Sequence, residues 1–126
     1  MDHNKSTTIK EILTAEEIAA GESAYSEVLD VFQLAGNASL QIEVTGDGTA
    51  KIEWVGTNDE DALVAAFIKP NNANDIVTAF TKTSGPGSDG KHIYPFNVSL
   101  VKRMAIKVTE TSTTDSVTVT AIIALQ

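Results

Sequence analysis

The sequence predicts an all-β protein: an antiparallel, jelly-roll-like β-sandwich preceded by an N-terminal arm. Several short runs alternate apolar and polar residues with a period of two, which is the pattern of half-buried strands. Turn-forming residues separate these runs, and no long stretch has the helical period of 3.6 residues. The chain of 126 residues, 42% of them hydrophobic, is long enough to bury one core and matches the size of one domain.

The N-terminal arm, residues 1–24, differs in its residue pattern from the β-sandwich body, residues 25–126. Within the arm, residues 14–17 (Thr-Ala-Glu-Glu) match a capping box, which indicates about one helical turn over residues 15–20. Residues 7–13 could equally pair as an edge strand of the sandwich. The sequence leaves both alternatives open, and in either case the arm leads directly into the β-sandwich body.

The clearest strand pair of the body comes early. Residues 39–45 and 49–55 each alternate apolar and polar side chains, and the tight-turn sequence Gly-Asp-Gly at 46–48 lies between them. The two runs therefore predict a β-hairpin. Trp54 has the phase of the apolar residues in its run, so we expect it in the core.

The other strands of the body follow from similar patterns. They are predicted at residues 26–32 (with Val28 and Phe32 inward), 62–68, 76–81, 93–100, 104–110 and 117–125. The glycine-rich stretch 84–91 is interpreted as a surface loop, and a polar turn at 111–115 joins the last two strands. Seven or eight short strands of this kind are typical of a sandwich or jelly roll.

The charge balance and the absence of cysteine exclude several classes of function. The chain has 17 Asp and Glu against 9 Lys and Arg, a formal charge of −8. Phosphate binding needs clustered cations, so we expect no nucleic-acid partner. The only adjacent basic pair, Lys102 and Arg103, is interpreted as solvated protection of a strand edge. Without cysteine the chain has neither disulfides nor a thiol nucleophile.

Membrane association is not expected either. No apolar run approaches the roughly 20 residues that a membrane-spanning helix requires. The start of the chain lacks the continuous apolar segment of a secretory signal, so we expect synthesis in a cytoplasm.

The candidate catalytic and metal motifs are weak. Residues 85–90 fit G-x-G-x-x-G, but Pro86 and the β run that follows contradict a dinucleotide site, which needs a helix there. The acidic cluster Asp59 to Asp61 could bind a hard cation with help from acids in other loops, yet it lacks the spacing of a calcium loop. The two histidines, His3 and His92, are far apart in sequence. We expect no enzyme, catalytic residue, cofactor or metal.

The residues in two segments carry a resemblance to a known class of proteins. Residues 39–61 contain a strand that ends in Thr-Gly and a second strand that closes on Gly-Thr-Asn-Asp, and residues 96–125 contain a late strand-turn-strand pair. With this order, residues 26–126 resemble small bacteriophage virion proteins of the capsid decoration (cement) type. The N-terminal arm lies outside the match, and no functional residue carries over.

The resemblance implies a β-sandwich that coats and stabilises a phage head. The implied partners are the major capsid protein and further copies of the chain, with a trimer favoured, and the implied location is the capsid surface of the virion. The alternative function is a carbohydrate- or cell-surface-binding module, such as a tail or fibre accessory, which would need an exposed aromatic platform. A hydrolase built around His92 is a third possibility, but no nucleophile motif supports it.

Apolar residues outside the alternating core faces are the candidate partner contacts. In the arm and the loops these candidates are Ile9, Ile12, Leu13, Ile18, Tyr25 and Tyr94. The alternative interpretation is that they dock onto the sandwich of their own chain.

Overall fold

The computed structural model describes residues 7–71 and 73–126. The described chain forms nine strands and one 3-10 turn. In chain order they are β1 (Thr8–Ile18), β2 (Ser23–Tyr25), β3 (Leu29–Asp30), β4 (Asn37–Thr45), β5 (Ala50–Thr57), the 3-10 turn (Val64–Ala66), β6 (Val77–Phe80), β7 (Lys91–Asn97), β8 (Arg103–Glu110) and β9 (Val117–Leu125). The all-β prediction is therefore confirmed. In the part of the chain described here, no helix is long and apolar enough to span a membrane.

The strands form two antiparallel sheets. Sheet I has the order β1-β9-β4-β7, and sheet II has the order β2-β8-β5-β6, with β3 also paired to β8. If β2 and β3 are counted as one interrupted strand along β8, each sheet has four strands. Successive strands mostly alternate between the sheets, and the first strand pairs with the last. This is the jelly-roll order.

One predicted pairing is wrong, because β4 and β5 do not form a hairpin. β4 pairs with β7 and β9 in sheet I, whereas β5 pairs with β6 and β8 in sheet II. The connection at residues 46–49 therefore crosses from one sheet to the other. Alternation shows which side chains point inward but not which strand is the neighbour, so a hairpin and a crossing connection look alike in the sequence.

The described residues of the arm join the sandwich: residues 8–18 belong to sheet I, and residues 23 and 24 belong to β2 of sheet II. Residues 8–18 form edge strand β1, which pairs along β9 with two irregularities of register, between Glu11 and Leu13 and between Leu13 and Glu16. Ala15 has a φ of 45° at the second one. Of the two alternatives left open for this segment, the edge strand is the one observed and the helical turn over residues 15–20 is not. Pairing with β9 satisfies the backbone, and the bulges keep Ile12, Leu13 and Ile18 directed at the core.

The core lies between the two sheets. It is formed by the inward-facing alternate residues of the long strands, and Trp54 is among them with 4% of its surface exposed, as predicted. The fully buried larger apolar side chains are Phe80, Leu40, Ile42, Ile52, Met104, Ile106, Ile123, Val44, Val108, Val117 and Val119. Phe32, by contrast, was expected to face inward and is 58% exposed, because it lies in the loop after β3.

The outer face of sheet II is covered by the long β5–β6 connection. Phe67 from this connection packs on Val55 and Ala105, which face outward from sheet II. The predicted strand at residues 62–68 is wrong: the segment holds the 3-10 turn and a single bridge between Ile68 and Gly56. Among its apolar residues, Phe67 is buried against the sheet face and Ala62 and Val64 pack beside it. Leu63 and Ile68 are exposed.

Candidate functional site

The loops at the two ends of the sandwich differ in character. At one end, which we call the apolar end, the loops 31–36, 58–63 and 98–102 follow β3, β5 and β7. Each of them presents one large apolar side chain to solvent: Phe32 is 58% exposed, Leu63 79% and Leu100 82%. The opposite end, which we call the polar end, is formed by the connections 19–22, 46–49, 81–90 and 111–116.

Backbone hydrogen bonds join two of the loops of the apolar end. The N–H of Val98 donates to the carbonyl of Gly36 at 2.8 Å, and the N–H of Val31 donates to the carbonyl of Lys102 at 3.0 Å. Gly36 has a φ of 92°, and a Cβ there would lie 2.5 Å from the Val98 carbonyl oxygen, so only glycine fits. A shallow cavity of about 90 Å³ lies at this junction, and Leu100 is part of its lining.

Lys102 and Arg103 hold the loop 58–63 of the apolar end in place. The Arg103 guanidinium donates through Nη2 to the carbonyls of Asp59 at 2.7 Å and Ala62 at 2.9 Å. The Lys102 backbone N–H donates to the carbonyl of Thr57 and to Asn58 Oδ1, at 3.1 and 3.0 Å. These two basic residues therefore organise a loop, whereas the sequence indicated only a solvated strand edge.

Both basic side chains also contact aromatic rings. The Lys102 ammonium pairs with the carboxylate of Glu60 and lies 5.8 Å from the centroid of the Phe32 ring. The Arg103 guanidinium lies 5.2 Å from the centroid of the Phe67 ring. Cation–π contacts and ion pairs at such positions orient side chains more than they stabilise the fold. Phe32 and the 58–63 loop are thus held beside each other.

The six candidate contact residues from the sequence fall into different environments. Ile12, Leu13 and Ile18 are 7%, 4% and 2% exposed and belong to the core. They dock onto the sandwich of their own chain, which is the alternative interpretation given above, so they are not available to a partner. Ile9 is 72% exposed on the outer face of β1 and remains a candidate contact.

The two candidate tyrosines are half-buried rather than free. Tyr25 packs on the cluster outside sheet II, and the Lys107 ammonium lies 5.7 Å from its ring centroid. Tyr94 faces inward from β7, with its ring edge-on to Phe80 at a centroid distance of 6.2 Å and beside His92 at 4.3 Å. Burial raises the pKa of the Tyr94 phenol. Neither ring presents an open face of the kind on which a sugar stacks.

The acidic loop residues do not converge. Asp47 pairs with Lys82 at the polar end, whereas Asp75 pairs with Lys69 beside Glu53 on the outside of sheet II. The hydrogen bond with Asp75 raises the pKa of the Lys69 ammonium. Across residues 7–71 and 73–126, no three side chains of His, Cys, Asp or Glu form a group that could hold a metal ion.

The histidines and the glycine-rich motif have no shared geometry. Nδ1 of His92 accepts a hydrogen bond from the backbone N–H of Ile93 at 2.8 Å. His3 lies outside the described residues. Residues 85–90 form turns that lead into strand β7, so the G-x-G-x-x-G sequence precedes a strand, as expected for a loop rather than a dinucleotide site.

Sequence reasoning missed the three exposed apolar residues of the apolar end. Phe32 was assigned to the core, and Leu63 and Leu100 were placed inside or at the end of predicted strands. Leu100 continues the two-residue alternation of Tyr94, Phe96 and Val98, so the pattern assigns it the phase of an inward residue and does not mark it as exposed. For Leu63 no local signal distinguishes it from its apolar neighbours.

Comparisons with known proteins add structural similarities only. No protein-family model matches the sequence, and no curated protein matches it significantly. PliG of Aeromonas hydrophila, a periplasmic lysozyme inhibitor of g-type lysozyme, is 12% identical with a TM-score of 0.46, over 100% of this chain and 91% of that chain.

Two further solved structures are viral or prophage-derived. In the structure of infectious bursal disease virus, Gx strain, the similar chain is 9% identical with a TM-score of 0.48; the match covers 95% of this chain and 31% of that chain, about a third of its length. The SPBc2 prophage-derived protein YomS is 17% identical with a TM-score of 0.40, over 94% of this chain and 93% of that chain. All three TM-scores lie below 0.5, and no functional argument follows from them.

Proposed function

We propose that the protein is a non-enzymatic structural protein of a virion, and specifically a capsid decoration protein that binds the assembled bacteriophage head through its apolar end. The observation that carries this proposal is the set of three exposed apolar side chains, Phe32, Leu63 and Leu100, on three loops at one end of the sandwich. Exposed apolar side chains grouped at one end of a fold are typical of protein-contact sites, whereas single exposed apolar residues occur on any protein surface. The proposed partner is the major capsid protein.

The fold is compatible with this role but does not select it. Jelly rolls occur in viral capsid proteins and also in lectins and cupins, so function must be argued from a site. The sequence resemblance of residues 26–126 to small phage virion proteins favours the viral use and a location on the capsid surface. It also favours a homotrimer, which is part of the proposal.

The mechanism of such a protein is adhesive. A protein that binds the assembled shell better than its dissociated subunits adds its binding free energy to the stability of the shell. Apolar contact at the loop tips would supply this free energy through burial of about 25 cal/mol per Å². Many copies bound to one shell make even a weak individual contact effective.

The alternative function, a carbohydrate-binding module, has less support. It needs an exposed aromatic platform, and Trp54 is only 4% exposed while Tyr25 and Tyr94 are packed against neighbouring side chains. Phe32 is an exposed ring, but the Lys102 ammonium lies 5.8 Å from its centroid and occupies the ring face on which a sugar would stack.

Cosedimentation with undecorated capsids of the virus that encodes the protein tests the proposal. We expect the wild-type chain to sediment with the capsids. Leu100→Asp should weaken binding at least about tenfold, because it places a charge in an apolar contact. Thr83→Asp, the same new charge on an exposed loop of the polar end, is the matched control and should bind like the wild type. Absence of wild-type binding, or equal binding by Leu100→Asp, would overturn the proposal.

A further inference from the structure

The loop 58–63 of the apolar end has little apolar anchoring of its own. Residues 58–61 are exposed, and Leu63 is 79% exposed. Within this loop only Ala62 is half-buried, where it packs on the cluster outside sheet II. A segment with so few buried contacts opens locally at a low cost in free energy unless hydrogen bonds hold it. The groups that bond to this loop therefore decide where Leu63 lies.

The Arg103 side chain supplies two of these hydrogen bonds. Its Nη2 donates to the carbonyl of Asp59 at 2.7 Å and to the carbonyl of Ala62 at 2.9 Å. The Ala62 carbonyl belongs to the same planar peptide unit as the Leu63 nitrogen. On the other side, the carbonyl of Leu63 accepts the N–H of Ala66 at 2.8 Å. Both peptide units that flank Leu63 are thus held, the first by Arg103 and the second by the 3-10 turn.

The guanidinium of Arg103 is itself oriented by an aromatic ring. Arg103 has the phase of Ala105 on β8, so its side chain leaves sheet II on the outer face. There the guanidinium lies 5.2 Å from the centroid of the Phe67 ring. A guanidinium is planar with donors in fixed directions, whereas a lysine ammonium is a point charge on a flexible stem. Of the nine Lys and Arg residues of the chain, residue 103 is the only arginine, so this geometry occurs once, at this loop.

The loop 58–63 in turn positions Phe32. Glu60 of the loop pairs with the Lys102 ammonium, which lies 5.8 Å from the centroid of the Phe32 ring. The Lys102 N–H also donates to Asn58 Oδ1 at 3.0 Å. Displacement of the loop would remove the carboxylate partner of Lys102 and with it the contact that orients the ring. Two of the three exposed apolar side chains of the apolar end therefore depend on the conformation of this loop.

We propose that Arg103 is a positioning residue of the apolar end, which holds the loop 58–63 so that Leu63 meets the partner in one fixed position. This inference rests on the proposed function, because it concerns the same contact surface. Ordering a free loop on binding costs conformational entropy, and a loop that is ordered in advance avoids this cost. Arg103 acts through Leu63: its guanidinium lies between the loop carbonyls and the Phe67 ring.

The contribution of Arg103 to the stability of the whole fold is expected to be small. Its Nε is buried and has no hydrogen-bond partner among the described residues. A buried donor without a partner is unfavourable, so replacing the guanidinium removes this cost together with the favourable contacts. We therefore expect the melting temperature of Arg103→Lys to lie within about 5 °C of the wild-type value. The effect of the substitution should be confined to the loop.

Hydrogen exchange of the free protein, followed residue by residue by NMR, tests whether Arg103 holds the loop. The probes are the amides of Asp61, Ala62 and Ala66, whose N–H groups bond within the loop and the 3-10 turn. In Arg103→Lys these amides should exchange at least about tenfold faster than in the wild type. The amide of Ile106, which donates to Ser26 Oγ in the core, should be unaffected.

Lys107→Gln is the matched control for this measurement. Lys107 lies on the same strand and the same face as Arg103, and its ammonium is 5.7 Å from the centroid of the Tyr25 ring. Lys107→Gln loses a charge and a cation–π contact but no bond to the loop, whereas Arg103→Lys keeps its charge and loses the planar donor group. The control should exchange like the wild type. Unchanged exchange in Arg103→Lys, or equal acceleration in both variants, would refute the positioning role.

Cosedimentation with the undecorated capsids tests whether Arg103 acts through Leu63. Arg103→Lys should raise the dissociation constant at least about fivefold, and Lys107→Gln less than about twofold. Leu63→Ala should also raise the constant, because it truncates the apolar contact. In the Leu63→Ala background, Arg103→Lys should add less than about twofold, since the side chain that it positions is gone. Effects that multiply in full would show that Arg103 acts elsewhere and would contradict the inference.

The two measurements separate this inference from the proposed function. Absence of wild-type capsid binding overturns the proposed function and the presentation of Leu63 to a shell, while hydrogen exchange still decides whether Arg103 holds the loop. Wild-type binding together with unaltered binding by Arg103→Lys overturns the inference alone and leaves the shell contact in place. Faster exchange in Arg103→Lys, weaker capsid binding and the loss of this effect in Leu63→Ala would together establish the positioning role.

Discussion

Four backbone N–H groups converge on the carboxylate of Glu110 at the polar end, and they come from three different connections. Gly21 and Thr113 donate to Oε1 at 3.0 and 2.8 Å, and Thr49 and Ser112 donate to Oε2 at 2.8 and 2.9 Å. The side chain is 1% exposed. At the residue scale, this one carboxylate joins three of the connections that cross between the two sheets.

The titration of Glu110 follows from these contacts. Burial by itself raises the pKa of the carboxyl, but the hydrogen bonds from Thr49, Ser112 and Gly21 outweigh it and lower the pKa from 4.5 to about 2. Because the folded-state pKa lies below the ordinary value, the ionised group stabilises the fold above about pH 4.5. This stabilisation is lost as the pH falls towards 2.

Glu110→Gln tests this role. The amide cannot accept four hydrogen bonds with the strength of a carboxylate, so we expect a melting temperature several degrees lower at pH 7. The difference from wild type should shrink as the pH is lowered from 4.5 to 2, where the wild-type carboxylate also becomes neutral. Thermal unfolding followed by circular dichroism measures both. Glu17→Gln, which removes an exposed carboxylate of β1, is the control. A melting-temperature difference between wild type and Glu110→Gln that persists unchanged at pH 2 would contradict the role proposed for the Glu110 carboxylate.

At the scale of elements, the sequence predicted the strands better than their partners. Alternation in β4, β5, β8 and β9 gave the inward side chains correctly, because side chains of a strand point alternately to its two faces. Burial itself has a period of two in β9, whereas in β5 and β8 the outward Val55 and Ala105 are buried too, under Phe67. The β4–β5 hairpin was wrong because pairing is decided by contacts far apart in the sequence, here with β8 and β9. The strand predicted at residues 62–68 was wrong because the segment forms a 3-10 turn and packs Phe67, Ala62 and Val64 on sheet II from outside.

The candidate site was less predictable because it also depends on contacts between residues that are far apart in the sequence. Whether an apolar residue is core or contact depends on what folds over it: Ile18 is 2% exposed and Ile9 is 72% exposed, although both belong to β1. No local pattern separates them, because the difference arises from the bulges and from the position along β9. Likewise Phe32, Leu63 and Leu100 meet at one end only after three distant loops are assembled.

A pair of alanine substitutions tests whether β1 is an integral element. Ile18→Ala removes a buried side chain at the end of β1 and should cost about 2–5 kcal/mol of unfolding free energy. Ile9→Ala, at the exposed beginning of the same strand, should cost less than about 0.5 kcal/mol. Urea unfolding of both variants measures the difference. Equal, small effects would show that β1 is a detachable arm rather than a strand of the sandwich.

At the scale of the whole molecule, the net charge disappears at a higher pH than the pH at which Glu110 loses its charge. The isoelectric point calculated from the sequence is about 4.5, so the repulsion between copies vanishes near that pH. Glu110, which joins the crossing connections, has a pKa of about 2 and is still ionised there. Loss of net charge should therefore precede loss of this part of the structure.

Because the net charge is lost before Glu110 is protonated, we expect folded molecules to attract each other near pH 4.5. Static light scattering should give a positive second virial coefficient at pH 7 in low salt and a negative one near pH 4.5. Near-UV circular dichroism of the single Trp54 should be unchanged over that interval, because the core around it stays packed. A spectrum that changes before the virial coefficient does would show that the attraction comes from unfolding instead.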